Sequence, residues 1–295
     1  MRVGYLKIMA VFMMLASVSA FAGKSVDESW ELDADAMVYI ENIAGIIEIR
    51  GWDRNEARLT GELGSSADEL EISSSGSSLQ ISVTNHNERN VDDTVLKLII
   101  PAGASVDATA VSADIMIKGL DNEKLTASSV SGDVKVNASS LRVSIESVSG
   151  DVEFSGHTIR ISAESVSGDI NLTGISGEVS ASTVSGDMEL MAGQIESGKF
   201  ETVSGDMTMV AEVSGNGKIG AESMSGDVII MLPASQSGGF KAQSFSGRIT
   251  TDFGSVDRAK HGPGSHLKYV TGTGGAEIRV ESFSGNIKLK HEKHD

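Results

Sequence analysis

Six aspartates come closest to a chemical pattern: Asp133, Asp151, Asp169, Asp187, Asp206 and Asp227. Each closes a Val-Ser-Gly-Asp or Met-Ser-Gly-Asp sequence, and successive copies lie 18 to 21 residues apart. Glu146, Glu164, Glu201 and Glu222 precede four of them by a constant five residues. If the copies stack as parallel strands, like carboxylates come to about 4.8 Å from one another. Two unit charges at that distance repel by roughly 0.9 kcal/mol in bulk water before screening. Oxygen-only ligands under such repulsion suit calcium better than softer metals. The plainer expectation is that each Asp bonds to its own turn backbone and the row is solvated. The glycine-dense nonapeptide of calcium-binding β-rolls is absent from the sequence. No metal or cofactor is therefore assigned, and the Asp column stands as the candidate place for calcium.

Other chemistry is thin. Serine is frequent, yet no Gly-x-Ser-x-Gly elbow occurs. His291 and His294 lie three apart near the chain end, without the His-Glu-x-x-His form. Gly215-Asn216-Gly217-Lys218-Ile219-Gly220 matches a dinucleotide pattern by letter, but no helical pattern follows it. Met188, Met191, Met207, Met209, Met224 and Met231 read mostly as core filler rather than soft-metal ligands. Arg and Lys are scattered, and aromatic residues make up only 4% of the chain. An acidic-polysaccharide site needs clustered acids and bases in a groove, so no catalytic residue is assigned.

The elements that must position these carboxylates follow from the same repeat. A worn copy, Val111-Ser112-Ala113-Asp114, precedes the series. Phe245-Ser246-Gly247-Arg248 and Phe283-Ser284-Gly285-Asn286 extend it. Counting from each Asp as zero, positions −8, −6, −3, +1 and +3 are nearly always apolar. Residues between them, such as Lys135, Glu153 and Glu189, are polar. This is period-two alternation in two short strands joined by a tight arc. One copy has too little apolar surface to bury alone, so the copies stack. The expected fold is all-β: a parallel β-solenoid of 18–21-residue coils with an N-terminal antiparallel β segment. All five apolar columns are expected inward, and about nine coils give a rod roughly 45 Å long.

Gly at −1 implies a torsion or close approach that Cβ would obstruct. Ser or Thr at −4 is placed to satisfy arc backbone groups. Met37 to Arg50 fits the repeat register when aligned on Gly45, with Ile46 at the Asp position. Residues 55–100 leave the period and read as four strands in a small antiparallel sheet. Residues 251–275 also leave it, as a projecting arm or displaced hairpin. The charged Lys288 to Asp295 suits a terminal coil with lysines guarding an open edge. The chain thus divides into 1–22, 23–102 and 103–295.

Residues 1–22 read as a signal peptide. Arg2 and Lys7 precede a short apolar run, and Ala20-Phe21-Ala22 is a cleavage pattern. No later stretch is apolar enough to cross a membrane. Removing Arg2 and Lys7, two positive charges, takes the formal charge from −17 to −19. Such a surface repels nucleic acid and anionic headgroups. The chain has no cysteine, so stability comes from packing and backbone pairing.

The segment Ile46 to Asp53, the Val-Ser-Gly-Asp series and the stretch from Ala276 to Ile287 resemble the bacterial β-strand-repeat "putative adhesin" family of unknown function. The resemblance implies the fold and supplies no catalytic residues. The expectation is a non-catalytic, exported structural or adhesin-like module, periplasmic or at the cell surface, with a protein or glycan partner. A calcium-responsive envelope protein and a polysaccharide-active enzyme are the alternatives. Residues 251–275 are the expected place for a specific partner.

Overall fold

The computed structural model describes residues 25–65, 69–84, 92–258, 264–272 and 275–292. The signal peptide expected at 1–22 lies outside the described residues, as does His294. Among the described residues there are nineteen strands in one mixed sheet and no helix. The first six are β1 (Ser25–Glu31), β2 (Met37–Trp52), β3 (Glu56–Glu62), β4 (Glu69–Ser75), β5 (Ser78–Thr84) and β6 (Thr94–Pro101). Six longer strands follow: β7 (Ser105–Ser129), β8 (Val134–Ser147), β9 (Val152–Ser165), β10 (Ile170–Thr183), β11 (Met188–Thr202) and β12 (Met207–Ser223). The last seven are β13 (Val228–Leu232), β14 (Gly238–Ser244), β15 (Ile249–Thr251), β16 (Val256–Arg258), β17 (Ser265–Thr271), β18 (Ala276–Ser282) and β19 (Ile287–His291).

From β7 to β12 every neighbour is parallel and in the repeat register. Val134 pairs with Val152, Val152 with Ile170, Ile170 with Met188, and Met188 with Met207. These five residues are at most 1% exposed, so hydrophobic side chains do line up inside a solenoid-like stack. β2 joins the same register as expected from the sequence: Gly45 pairs with Ala113, Ile46 with Asp114, and Ile47 with Ile115.

The N-terminal residues join the sheet as well, because β1 runs antiparallel along β3. β5 and β6 pair in parallel with the two halves of β2. β4 then covers β5, and β3 covers β6, both antiparallel. The segment is therefore a further turn of parallel strands under an antiparallel cover.

The C-terminal end departs from sequence order. β18 lies between β12 and β14, and β19 between β13 and β15. The last strands in the chain are therefore internal, which corrects the reading of Lys288 onward as a terminal coil. Beyond β14 the stack is covered by β16 and β17, which come from the described part of the 251–275 segment. β17 runs antiparallel along β14, and β16 runs antiparallel along β17. An antiparallel strand ends a parallel ladder because it breaks the stacking of like residues. Phe240 and Phe253 stack at 4.6 Å beneath this cover, and His291 meets Phe253 edge-on.

Candidate functional site

One corner of the stack gathers the repeat motifs. Here each Asp carboxylate accepts a hydrogen bond from the backbone N–H of the Asp in the next coil. The bonds run without interruption from Asp114 through Asp133, Asp151, Asp169, Asp187 and Asp206 to Asp227, at 2.8–3.0 Å. Asp227 passes the ladder to Asn286, and Asn286 passes it to Arg248. The Asp column thus ties coil to coil through the turn backbone, each Oδ1 accepting from the neighbouring coil and not from its own turn. Lys288 lies 3.7 Å from Asp227. Among the described residues no group of three or more His, Cys, Asp or Glu is arranged to hold a metal ion.

A second ladder runs beneath it. The −4 hydroxyl accepts from the Gly N–H three residues later in eight copies, from Ser129–Gly132 to Ser282–Gly285, at 2.8–3.1 Å. Ser129 and Thr183 donate onward to the Ala113 and Gly168 carbonyls. These hydroxyls are buried, so an unmade bond here would cost more than one at the surface. The −1 glycines have ordinary φ and are required by close approach. A Cβ on Gly168 would sit 2.0 Å from the Gly150 carbonyl oxygen. Ala113 is tolerated where β7 passes the corner as continuous strand.

The −3 column corrects the sequence reading most sharply. It does not point inward. Val111, Val130, Val148, Val166, Val184, Val203, Met224, Phe283 and Phe245 form an outward file, each 41–59% exposed. The rings of Phe283 and Phe245 stack at 4.9 Å and 8°. Position −3 lies an odd number of residues from the buried −8 and −6 and so points out, and the arc then reverses the facing to bring +1 in.

Beside this file runs the −5 column. Glu146 pairs with Glu164, Ser182 interrupts, and Glu201, Glu222 and Glu281 continue it. Glu281 was missed because its motif ends in Asn286. Lys199 bridges Glu201 at 2.8 Å, and Arg279 bridges Glu281 at 2.8 Å. The Lys199 ammonium is held above its ordinary pKa, first by the Glu201 hydrogen bond and charge, then by the more distant Glu222 and Glu164. Glu146, Glu164 and Glu222 form no ion pair or side-chain hydrogen bond among the described residues. Between the −5 and −3 columns lie two hollows, of about 440 Å³ by Phe245 and Phe283 and about 470 Å³ by Val130, Val148 and Val166. The site is a trough along the stack, with one apolar wall, one acidic wall and the backbone of the −4 residues between them, their hydroxyls turned inward.

Another part of the stack collects charges that look scattered in the sequence. Arg142 pairs with Glu123, and Arg160 pairs with Glu178 at 2.7 Å. They flank the exposed Leu141 and Ile159 in a hollow of about 500 Å³. Each guanidinium there is engaged by a carboxylate, and that of Arg160 is raised above its ordinary pKa by Glu178. Among the methionines, Met188, Met207 and Met209 fill the core, while Met191 and Met224 are exposed, so filler accounts for only part of that set. Gly215 to Gly220 lie within β12, with no helix after them.

Parallel strands in repeat register, with two hydrogen-bonded side-chain ladders at one corner, define an all-β repeat protein. Residues 40–290 match the family model described as Toastrack DUF4097, and the chain belongs to that family. This agrees with the family expected from the Val-Ser-Gly-Asp series. Solved structures similar to it include one described as a putative adhesin from Bacteroides fragilis, with 11% identity over 90% of this chain and 97% of that one, TM-score 0.46. Another is described as a putative lipid binding protein from Parabacteroides distasonis, with 12% identity over 90% and 97%, TM-score 0.44. A third is described as a putative cell adhesion protein from Clostridium sporogenes, with 12% identity over 91% and 100%, TM-score 0.21. No curated protein matches the chain.

Proposed function

We propose that this chain is an exported, non-catalytic, adhesin-like interaction module of the bacterial cell envelope, working through its repeated corner. The observation that carries the reading is the unbroken exposed −3 file. Singly exposed apolar residues are ordinary, but a contiguous file rimmed by polar groups marks a contact surface. Repetition along a stiff stack presents one weak contact many times, which favours multivalent binding. Export rests on Arg2, Lys7 and the Ala20-Phe21-Ala22 pattern. No helix among the described residues is long and apolar enough to cross a membrane. The coils of 18–21 residues and the N-terminal antiparallel cover are read as scaffold, holding the corner straight and closing its end.

In the 251–275 segment, β16 and β17 serve as the end cover, and residues 259–263 and 273–274 of the partner site expected there lie outside the described residues. The test is retention of the chain by envelope preparations. Beads carrying the wild-type chain are compared with beads carrying Val130→Thr, Val148→Thr, Val166→Thr and Val184→Thr together. Retention lost in the substituted chain at unchanged melting temperature is the expected result. Equal retention by both would remove the corner from the function.

A further inference from the structure

Resting on that reading, we infer that the trough takes a basic amphipathic α-helix of a protein partner, laid along the stack axis. Three observations select this occupant. First, the walls differ: valines, Met224 and the Phe pair on one side, and on the other Glu146, Glu164 and Glu222, which form no direct ion pair among the described residues, Lys199 being engaged by Glu201. An occupant must therefore carry an apolar stripe and a cationic flank side by side. The formal charge of −17 works against a second copy of this chain in that place.

Second, the spacing fits a helix. Like side chains recur about every 4.8 Å along the stack, set by the strand separation. A helix turn advances about 5.4 Å, so an apolar stripe that recurs once per turn stays within about 3 Å of register over four coils. An extended strand repeats one face about every 6.7 Å and would be out by roughly 8 Å over the same distance, more than a whole coil. Third, most of the apolar wall is aliphatic, and Phe245 and Phe283 face each other. Sugar rings would find few open aromatic faces there, so a glycan fits less well.

The test uses the purified chain and an 18-residue helical peptide of Leu and Lys, with Leu at i, i+3, i+4 and i+7. A peptide of identical composition, scrambled to remove the stripe, is the control for bulk charge attraction. The patterned peptide is expected to bind at least about tenfold more tightly than the scrambled one. Glu146→Gln, Glu164→Gln and Glu222→Gln together are expected to weaken it about tenfold, and to flatten its salt dependence. The quadruple Val→Thr chain should weaken it by a similar factor while melting like wild type. Equal binding of the two peptides, or equal binding by all three chains, overturns the helix assignment. An oligomer of glucosamine is run in parallel. Its retention by wild type and loss in the Val→Thr chain, with no patterned-peptide binding, replaces the helix by a glycan and leaves the broader reading standing. That broader reading falls only by the bead experiment.

Discussion

Val134, Val152, Ile170 and Met188 form one column, and Val130, Val148, Val166 and Val184 form another, four residues upstream. The first is sealed in the core and the second is nearly half exposed. In composition, period and polar flanks they look alike. The difference lies in the arc between them, where Ser-Gly-Asp turns the backbone and reverses the facing of the next residue. The inner column holds the fold together. The outer one contributes little to it and is left for contact.

That contrast can be broken most strongly at the arc itself. Gly168→Val should destabilise by about 3 kcal/mol or more, because its Cβ meets the Gly150 carbonyl oxygen at 2.0 Å. Gly215→Ala, which has nothing within 4 Å of its added Cβ, should change stability by less than about 0.5 kcal/mol. Chemical denaturation of both chains checks the pair. The two columns are compared next. Phe154→Ala, in the buried +3 column, should cost about 3–5 kcal/mol, whereas Val166→Thr should stay within about 0.5 kcal/mol. A comparable loss at Val166 would show that the outer file supports the fold after all.

The ladder above the columns gives a smaller effect. Asp169→Ala removes the acceptor for the Asp187 N–H and should cost about 0.5–1.5 kcal/mol, with Asp169→Asn retaining most of the stability. If Asp169→Asn is as damaging as Asp169→Ala, charge rather than the hydrogen bond matters there. Calcium should leave the melting midpoint unmoved, since the ladder is satisfied by backbone. A rise of several degrees would restore the calcium reading.

The smallest effect is a pH dependence at the C-terminal cover. Asp252 is held below its ordinary pKa, first by the His291 backbone N–H and then by Lys290 Nζ. A depressed carboxylate stabilises the fold above its unfolded pKa, near pH 4, and loses that contribution as pH falls through the folded value. The group is 38% exposed, so solvent screening keeps the effect below about 1 kcal/mol. Melting wild type and Asp252→Asn between pH 7 and pH 2.5 should show a gap that closes on the acid side. A gap that persists in acid would point to packing instead.

Much of the scaffold was legible from side-chain periodicity. The pairing of Gly45 with Ala113 followed from aligning Met37 to Arg50 on its glycine, and the −4 hydroxyls were placed correctly beside the bend. The −3 file was read as core because its residues are apolar, although alternation from −8 and −6, an odd number of residues away, puts it on the outer face. The trough follows from the same alternation, since Glu146 and Val148 share the face opposite the buried Ser147, but it was hidden once Val148 was assigned to the core. The Arg142 and Arg160 ion pairs were hidden because their partners lie about one coil away in the chain.

Local sequence decided what one coil is: two alternating strands, a corner that excludes Cβ, and a hydroxyl that caps it. Those are short-range matters of torsion, alternation and hydrogen bonding. The order in which the coils lie was settled only in three dimensions. β18 and β19 enter between strands made earlier, because parallel register rewards any matching edge regardless of chain order. The arc adds the reversal that turns +1 inward although it lies an even number of residues from the exposed −3 position.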